Sequence, residues 1–273
     1  MSDKKKALFL DLDGTLLDDE KSVPQGNRDA IDKMLSLGHS VVIATGRPLI
    51  SAVAQAEKLG LTSPGCYLIA YNGGILYDTA ARKVIFRSTL PLASVYKAFR
   101  EAKSRGIHIQ TYHDEKVLVE PESDDDMVRS YCRKVGMEYE VIDDIGQLDE
   151  EPVKMLIIGP DPEPLEEFRT WLASWAGDSI DTFFSNDEYC EIVGKGLNKG
   201  NALRQMAKLV GVSIEDTIAA GDAANDISMV DAAGTGCAMA NGTDEIKSAA
   251  DYVTEKTNNE CGVAEIIERF VLT

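Results

Sequence analysis

The sequence of 273 residues is poor in cysteine and has no long apolar run. Its five cysteines are scattered and form no CxxC pair, so nothing indicates a disulfide framework, and we expect small buried thiols in a reducing compartment. No stretch approaches the roughly 18 apolar residues of a membrane span. The N-terminal apolar run Ala7 to Leu10 is too short for a secretory signal. We therefore expect a cytoplasmic protein with no membrane partner.

Basic residues are also scarce, since 28 Lys and Arg face 46 Asp and Glu and leave a net charge of −18. Such a charge repels nucleic acid and anionic membranes, so we expect neither as a partner. Hydrophobic residues nevertheless make up 44% of the chain, which excludes disorder and supplies ample material for a core. The acidity is uneven, because residues 88–192 hold 10 basic and 24 acidic side chains.

Short aliphatic runs alternate with helical patterns over much of the chain, which predicts consecutive βαβ units and a parallel sheet. The runs are continuously apolar, as strands are when helices cover both faces of a sheet. The predicted strands are Ala7–Leu10, Val41–Ala44, Tyr67–Ala70, Thr217–Ala220, Gly236–Met239 and Tyr252–Thr254. The predicted helices among them are Gln25–Leu37, Leu49–Leu59, Asn201–Val210 and Asp226–Ala233.

The middle of the chain has a different pattern. Ile75–Asp78 and Val84–Ser88 flank a short polar turn, which indicates a hairpin. Mixed helices and paired strands follow, so we predict an α+β module inserted into the parallel-sheet domain. The predicted domains are 1–87, 88–192 and 193–273. Within the module we predict helices Leu92–Arg105, Asp126–Val135 and Pro164–Trp175, and strands Ile107–Tyr112, Lys116–Glu120, Val153–Ile158, Ile180–Phe184 and Tyr189–Val193.

The segment DLDGTL begins at Asp11, directly after the first predicted strand. Because side chains alternate along a strand, Asp11 and Asp13 can lie on one side of its carboxyl end. Two neighbouring carboxylates that leave a buried strand need a cation, a proton or hydrogen-bond donors to compensate their charge. Gly14 can then turn the chain sharply. An acidic turn that only closes the strand is the alternative.

Two further segments carry candidate anion-binding groups. Thr45-Gly46-Arg47 follows the second predicted strand, where a hydroxyl and free backbone N–H groups can donate to phosphate oxygens. Thr45 as a plain helix cap remains the alternative. Lys199 stands at a predicted helix start, where a cation is unfavourable unless an anion is near. Lys195 is a neighbouring candidate for the same role.

The segment GDAAND follows the fourth predicted strand and offers Asp222 and Asp226 as oxygen ligands of the kind that Mg²⁺ prefers. Asn225 could orient a neighbouring side chain or serve as the cap of the helix that follows. All four segments lie where a predicted parallel strand ends. Because open α/β sheets bind ligands at the carboxyl ends of their strands, we expect these groups to meet at one edge.

In this order, DLDGT, ATGR, NKG and GDAAND are similar to the four motifs of the haloacid dehalogenase (HAD) superfamily. The module between the second and third motifs resembles the large cap of its Cof-type, subclass IIB, hydrolases. Tyr71-Asn72-Gly73 and Gly262-Val263-Ala264 extend the resemblance. It implies an α/β fold: a Rossmann-like parallel-sheet core with an inserted α/β cap domain.

The resemblance also implies a Mg²⁺-dependent phosphomonoester hydrolase that works through a phosphoaspartyl intermediate. Asp11 would be the nucleophile and a metal ligand. Asp13 would protonate the leaving alkoxide, then deprotonate water, and would reach the metal through its main-chain carbonyl. The implied catalytic residues are Asp11, Asp13, Thr45 and Lys199; those that bind substrate are Thr45, Gly46, Arg47, Asn72, Lys199 and Asn225; and those that bind or position the metal are Asp11, Asp13, Asp222 and Asp226.

The expected substrates are small phosphomonoesters. A strongly acidic cap would repel leaving groups with further negative charges, so we expect neutral, hydroxyl-rich alcohols such as sugars. Two alternatives stand beside hydrolysis. One is a phosphomutase or phosphotransferase, in which a second sugar accepts the phosphoryl group. The other is a non-catalytic regulator that binds a phosphorylated ligand, against which the Asp11 and Asp13 pair argues. The sequence leaves the oligomeric state open.

Overall fold

A computed structural model describes residues 4–113 and 116–272, which group into two compact units. The first unit consists of the described parts of Met1–Gly46, Ala52–Phe86 and Asn198–Thr273. The second consists of Arg47–Ser51 and the described part of Arg87–Leu197. Within the described residues, every helix is too short or too polar to cross a membrane.

The strands of the described residues are numbered in chain order. They are β1 (Ala7–Leu10), β2 (Ser40–Ala44), β3 (Cys66–Ala70), β4 (Ile75–Asp78), β5 (Lys83–Arg87), β6 (His108–His113), β7 (Lys116–Val119), β8 (Glu138–Val141), β9 (Lys154–Ile158), β10 (Ile180–Asn186), β11 (Tyr189–Gly194), β12 (Thr217–Gly221), β13 (Thr235–Ala238) and β14 (Tyr252–Val253).

The α-helices are numbered in the same way. They are α1 (Gln25–Ser36), α2 (Leu49–Lys58), α3 (Leu92–Arg105), α4 (Asp126–Val135), α5 (Pro162–Ala176), α6 (Lys199–Val210), α7 (Ile227–Ala232), α8 (Asp244–Ala249) and α9 (Gly262–Phe270).

The first unit is built on an eight-stranded sheet in the order β14-β13-β12-β1-β2-β3-β4-β5. The pairs from β14 to β3 are parallel, and β4 pairs antiparallel with β3. The two strands of the predicted hairpin, β4 and β5, are neighbours in this sheet. Phe9 and Val42 pack against Leu203 and Met206 of α6, which buries this face of the sheet. The predicted α/β fold class is therefore confirmed.

The second unit has a six-stranded sheet in the order β10-β11-β9-β6-β7-β8. Its pairs are antiparallel except for β7 and β8. Helices α3 and α5 cover one face, where Phe99, Phe168 and Leu172 pack with Ile157 and Ile192. Because the helices bury apolar stripes against the sheet, the unit has its own hydrophobic core.

The opposite face of this sheet carries buried polar side chains. Nδ1 of His108 lies 3.0 Å from a carboxylate oxygen of Asp125, the residue that caps α4, and its Nε2 lies 3.2 Å from the Gln110 side-chain oxygen. Lys154 and Glu191 form a buried ion pair at 2.7 Å. Since both ring nitrogens of His108 have partners, this histidine serves to hold β6 and α4 together.

Some elements differ from the sequence-based expectations. The sequence does not predict β8, which has only four residues, α8, which has only six, or α9, whose start at Gly262 has no local signal. Helix α6 begins at Lys199 instead of Asn201, and α7 begins only at Ile227, after a 3₁₀ turn over Ala224–Asp226. Asn225 is therefore not the cap of α7.

Candidate functional site

The carboxyl ends of four adjacent strands carry most of the predicted site residues. In the sheet order β12-β1-β2-β3, Asp222 follows β12, Asp11 follows β1, Thr45 follows β2 and Asn72 lies just past β3. The Asp11 N–H still continues the ladder by donating to the Ala220 carbonyl at 3.1 Å. Because parallel strands end at the same edge, side chains far apart in sequence become neighbours.

Lys199 enters this edge from the first turn of α6. Asn198 caps the helix by accepting the N–H of Asn201, and the next residue, Lys199, is 1% exposed. Its ammonium lies 2.5 Å from an oxygen of Asp11 and 2.6 Å from an oxygen of Asp226. The predicted anionic partner at this helix start is therefore a pair of carboxylates. Lys195, the other candidate, pairs instead with Asp181 in the second unit.

The α6 start approaches α7 so closely that a side chain at Gly200 would not fit. A Cβ built on Gly200 would lie 2.0 Å from the carbonyl oxygen of Ser228, while the Gly200 N–H donates to the Ser228 hydroxyl. Backbone is thus packed against backbone directly behind Lys199 and Asp226. This contact fixes the position of the start of α6, and therefore how far the Lys199 side chain extends toward Asp11 and Asp226.

Three carboxylates form one cluster at the edge. Asp11, Asp222 and Asp226 each offer an oxygen, and these atoms lie within 4.8 Å of one another. Asp226 is fully buried, and its second oxygen accepts the N–H groups of Asp222 and Ala223 at 3.2 and 3.3 Å. Both oxygens of Asp226 are thereby engaged, one by Lys199 and one by the backbone. This favours a role in positioning Lys199 and the Asp222 loop.

The electrostatics of the cluster follow from burial. Burial raises the pKa of Asp11 to about 7, although the charge of Lys199 opposes this shift. Burial also raises the pKa of Asp222, and the nearby charge of Asp226 adds to the effect. For Lys199, burial alone would lower the pKa, but the charges of Asp11 and Asp226 outweigh it and raise the pKa. The lysine therefore stays protonated at neutral pH.

One ammonium group does not neutralise three carboxylates, so the cluster suits an additional cation. Its donors are carboxylate oxygens, the ligands that the hard ion Mg²⁺ prefers. A divalent ion would also oppose the effect of burial on the pKa values of Asp11 and Asp222, since a nearby positive charge favours the ionised carboxylate. The residues present thus fit the metal that the sequence motifs imply.

The ends of β2 and β3 form a second part of the edge. Thr45 is buried and anchored by its N–H on the Ile69 carbonyl at 2.8 Å, and its own carbonyl accepts the Asn72 N–H at 3.0 Å. Asn72 has a positive φ of 55°, and its side-chain oxygen is buried without a hydrogen-bond partner among the described residues. A Cβ on Gly46 would come within 3.2 Å of that amide. An unsatisfied buried acceptor of this kind suits a hydroxyl donor from a ligand.

Three predicted residues are placed differently from the cluster. The Asp13 carboxylate is 43% exposed and pairs with Lys21 at 2.8 Å, outside the group of clustered oxygens. Arg47 belongs to the short segment grouped with the second unit, at the entry to α2. Asn225 is exposed on its 3₁₀ turn. Their roles stay predictions.

Two residues of the first motif gain roles that sequence reasoning did not assign. The buried hydroxyl of Thr15 donates to an oxygen of Asp222 at 3.1 Å. Gly14 adopts a φ of +78°, and a Cβ there would lie 2.4 Å from the other oxygen of Asp222. The Gly-Thr pair is therefore packed directly on the Asp222 carboxylate. The sequence signal was its place in DLDGT, but the partner lies 207 residues away.

Comparison with known proteins gives a consistent result. The sequence matches the haloacid dehalogenase-like hydrolase family over residues 8–267. The 5-amino-6-(5-phospho-D-ribitylamino)uracil phosphatase YcsE of Bacillus subtilis (strain 168) is 32% identical over 267 residues, spanning 98% of this chain and 96% of that protein.

Two crystal structures share the fold along the chain. A haloacid dehalogenase-like hydrolase from Bacteroides thetaiotaomicron superposes with a TM-score of 0.86 at 32% identity, covering 97% of this chain and 99% of that one. TM0651 from Thermotoga maritima superposes with a TM-score of 0.84 at 33% identity, covering 97% of each chain. The chain therefore belongs to the haloacid dehalogenase-like hydrolase family and is an enzyme of the phosphatase type.

Proposed function

We propose that this protein hydrolyses small phosphomonoesters, sugar phosphates above all, in a Mg²⁺-dependent reaction through a phosphoaspartyl intermediate on Asp11. The observation that carries the proposal is the position of the Lys199 ammonium, 2.5 Å from Asp11 and 2.6 Å from Asp226. A buried cation beside a buried carboxylate is what a nucleophile needs when a phosphate dianion approaches it. Phosphoryl transfer depends mainly on alignment and charge neutralisation.

In the first step an oxygen of Asp11 attacks phosphorus, and the bond from phosphorus to the ester oxygen breaks. Asp13 gives its proton to the departing alkoxide, which leaves as the alcohol. Thr45 and Lys199 hold the phosphoryl oxygens, and Lys199 offsets the negative charge of Asp11. Asp11, Asp222 and the Asp13 carbonyl would hold Mg²⁺, which when bound supplies a further positive charge against the transferred group.

In the second step Asp13 takes a proton from water, and the water oxygen attacks the phosphorus of the acyl phosphate. The bond from phosphorus to Asp11 breaks, so that inorganic phosphate leaves and both carboxyl groups return to their starting states. Splitting the displacement in this way replaces one difficult step by two easier ones. The Asp13 carboxylate must exchange Lys21 for substrate and water during this cycle.

Three observations support sugar phosphates as the substrate class. Residues 88–192 hold 24 acidic and 10 basic side chains, a balance that disfavours leaving groups with further negative charge. The relative YcsE is named for 5-amino-6-(5-phospho-D-ribitylamino)uracil, in which the phosphate is carried by a ribityl chain. Asn72 adds a buried acceptor that can take a substrate hydroxyl.

The proposal is tested by phosphate release from p-nitrophenyl phosphate with Mg²⁺, with EDTA, and with the Asp11→Asn variant. Activity should require Mg²⁺ and fall below detection in Asp11→Asn. Asp29→Asn is the matched control, because Asp29 is an exposed carboxylate on α1. Activity that survives the chelator or the Asp11 substitution would refute the mechanism.

A panel of phosphomonoesters then tests the substrate class. Hexose and pentose monophosphates should have higher kcat/KM than nucleoside di- and triphosphates, and free phosphate should be the product. A preference for the nucleotides would contradict the charge argument. An isomeric sugar phosphate as the product would instead identify a phosphomutase.

A further inference from the structure

A turn after β13 touches both loops that carry the clustered carboxylates. The Thr243 N–H donates to the carbonyl of Asp222 at 2.9 Å. The side-chain amide of Asn241, two residues earlier, donates to the carbonyl of Gly14 at 2.8 Å. The segment between β13 and α8 therefore links the loop after β12 to the loop after β1.

The Asn241 side chain is itself held in place by a second hydrogen bond. Its oxygen accepts the backbone N–H of Asn258 at 2.9 Å, and the Asn258 amide donates to the Leu17 carbonyl at 3.0 Å. Both ends of the Asn241 amide thus have partners, so its orientation is defined. The N–H group can point only toward Gly14 while the oxygen keeps its bond to Asn258.

The hydrogen bond from Asn241 is made to Gly14, the residue of the Asp11–Thr15 loop with the greatest backbone freedom. Glycine has a wide choice of backbone conformations, and Gly14 occupies a positive φ of +78° between Asp13 and Thr15. Its carbonyl belongs to the same rigid peptide as the Thr15 N–H. A hydrogen bond to that carbonyl therefore fixes the orientation of the Gly14–Thr15 peptide plane. This orientation in turn determines where Thr15 begins, and so how its hydroxyl reaches Asp222.

We propose that Asn241 is a positioning residue for phosphoryl transfer: by holding the Gly14 carbonyl, it keeps the Asp11–Thr15 loop in register with Asp222. The inference rests on the proposed function for its catalytic consequence. Asn241 is exposed, so its replacement leaves core packing intact. A small displacement of the reacting groups is costly in rate even when stability barely changes.

The test compares three variants of the full-length protein. Asn241→Ala removes both amide bonds. Asn241→Asp keeps the acceptor for the Asn258 N–H but places a carboxylate oxygen next to the Gly14 carbonyl. It therefore removes only the hydrogen bond to Gly14. Asn259→Ala is the matched control. Asn259 is exposed and lies next to Asn258 in the chain, and its side-chain amide donates to the Asp19 carboxylate at 3.1 Å. It has no role in the catalytic cluster.

With p-nitrophenyl phosphate and saturating Mg²⁺, kcat should fall about 10- to 100-fold in both Asn241 variants while KM changes less than about threefold. Asn259→Ala should keep kcat within about twofold, since exposed hydrogen bonds away from the site contribute little. A wild-type kcat in Asn241→Asp would overturn the proposal. So would an equal loss in Asn259→Ala.

Amide hydrogen exchange provides a readout that does not depend on activity. In the absence of Mg²⁺, the peptide spanning residues 12–17 should exchange faster in both Asn241 variants than in the wild type. Its exchange rate should be unchanged in Asn259→Ala. Unchanged exchange in the Asn241 variants would overturn the inference. If Asp11→Asn stayed active, the proposed function would fail separately, and the exchange comparison would still decide whether Asn241 holds the loop.

Discussion

Replacing Lys199 with methionine removes the only buried cation that contacts both Asp11 and Asp226 in the described structure. The side chains of the three residues are 1%, 11% and 0% exposed, so water cannot screen the two carboxylates that remain. Removing one partner of a buried ion pair typically costs about 3–5 kcal/mol. At about 2–4 °C per kcal/mol for a domain of this size, Tm should fall by about 6–20 °C.

The loss should depend on pH in a defined direction. Burial raises the pKa of Asp11 to about 7, above its unfolded value of 3.8, so protonation of Asp11 favours the folded state. In the protein without divalent ions, the contribution of Asp11 to stability therefore falls as pH rises from about 4 to 7. Without Lys199, which lowers this pKa, the penalty becomes larger. Lys199→Met should thus be more destabilised at pH 8 than at pH 5.5.

Thermal unfolding followed by circular dichroism in EDTA at both pH values measures this effect. Lys195→Met is the control, because Lys195 is half exposed and its pair with Asp181 should contribute less than about 1 kcal/mol. Phosphatase activity should fall about 100-fold or more in Lys199→Met, as when a transition-state donor is lost. A Tm within 2 °C of wild type at both pH values, or a larger loss at pH 5.5, would refute the reasoning.

Three further predictions concern packing and hydrogen bonding. Gly200→Ala should lower both Tm and kcat, since the new methyl would meet the Ser228 carbonyl oxygen at 2.0 Å; full activity would show that α6 can shift freely. Phe168→Ala should destabilise the second unit by about 3–5 kcal/mol in urea unfolding, because this fully buried ring leaves a cavity; a loss below about 1 kcal/mol would contradict its core position. Glu265→Gln should cost about 1–2 kcal/mol at pH 7. Burial alone would raise the pKa of Glu265, but hydrogen bonds from Tyr252 and from two backbone N–H groups outweigh it and lower the pKa. Its contribution is therefore complete above the usual pKa of 4.5 and lost as pH falls through the lower folded value, so the difference in urea unfolding should shrink as the pH falls below 4.5; a constant difference would refute this assignment.

The strands and the active-site segments were predictable because their signals are local. Ala7–Leu10 and Ile75–Asp78 have the predicted bounds, since continuous apolar runs bordered by glycine or acidic residues leave few alternatives. Strand β8 was missed because its sequence EYEV is short and half acidic, and it forms by pairing with β7. Helix α9 was missed because nothing before Gly262 marks a start; its first residue follows a cysteine with a positive φ of 68°.

The candidate site shows the same division. The residue types, and the places of Asp11, Thr45 and Asp222 after parallel strands, could be derived from the sequence, because side-chain period and strand direction are local properties. The prediction that Lys199 also follows a parallel strand is wrong, because the preceding strand, β11, has only antiparallel partners among the described strands. The choice of Lys199 over Lys195, the pairing of Asp13 with Lys21 and the contact of Thr15 with Asp222 could not. Each depends on which backbone segments pack together, and that is settled by long-range contacts.

By itself, then, the amino-acid sequence determined the alternation of strands and helices and the set of acids, lysine and hydroxyls that phosphoryl chemistry requires. Only the tertiary structure decided which of them share a buried volume, how far the pKa of Asp11 shifts, and that Asn241 reaches Gly14. The physical reason is that burial and electrostatic coupling depend on distances between segments far apart in sequence, such as Gly14 and Asn241, which are 227 residues apart, and no local pattern encodes those distances.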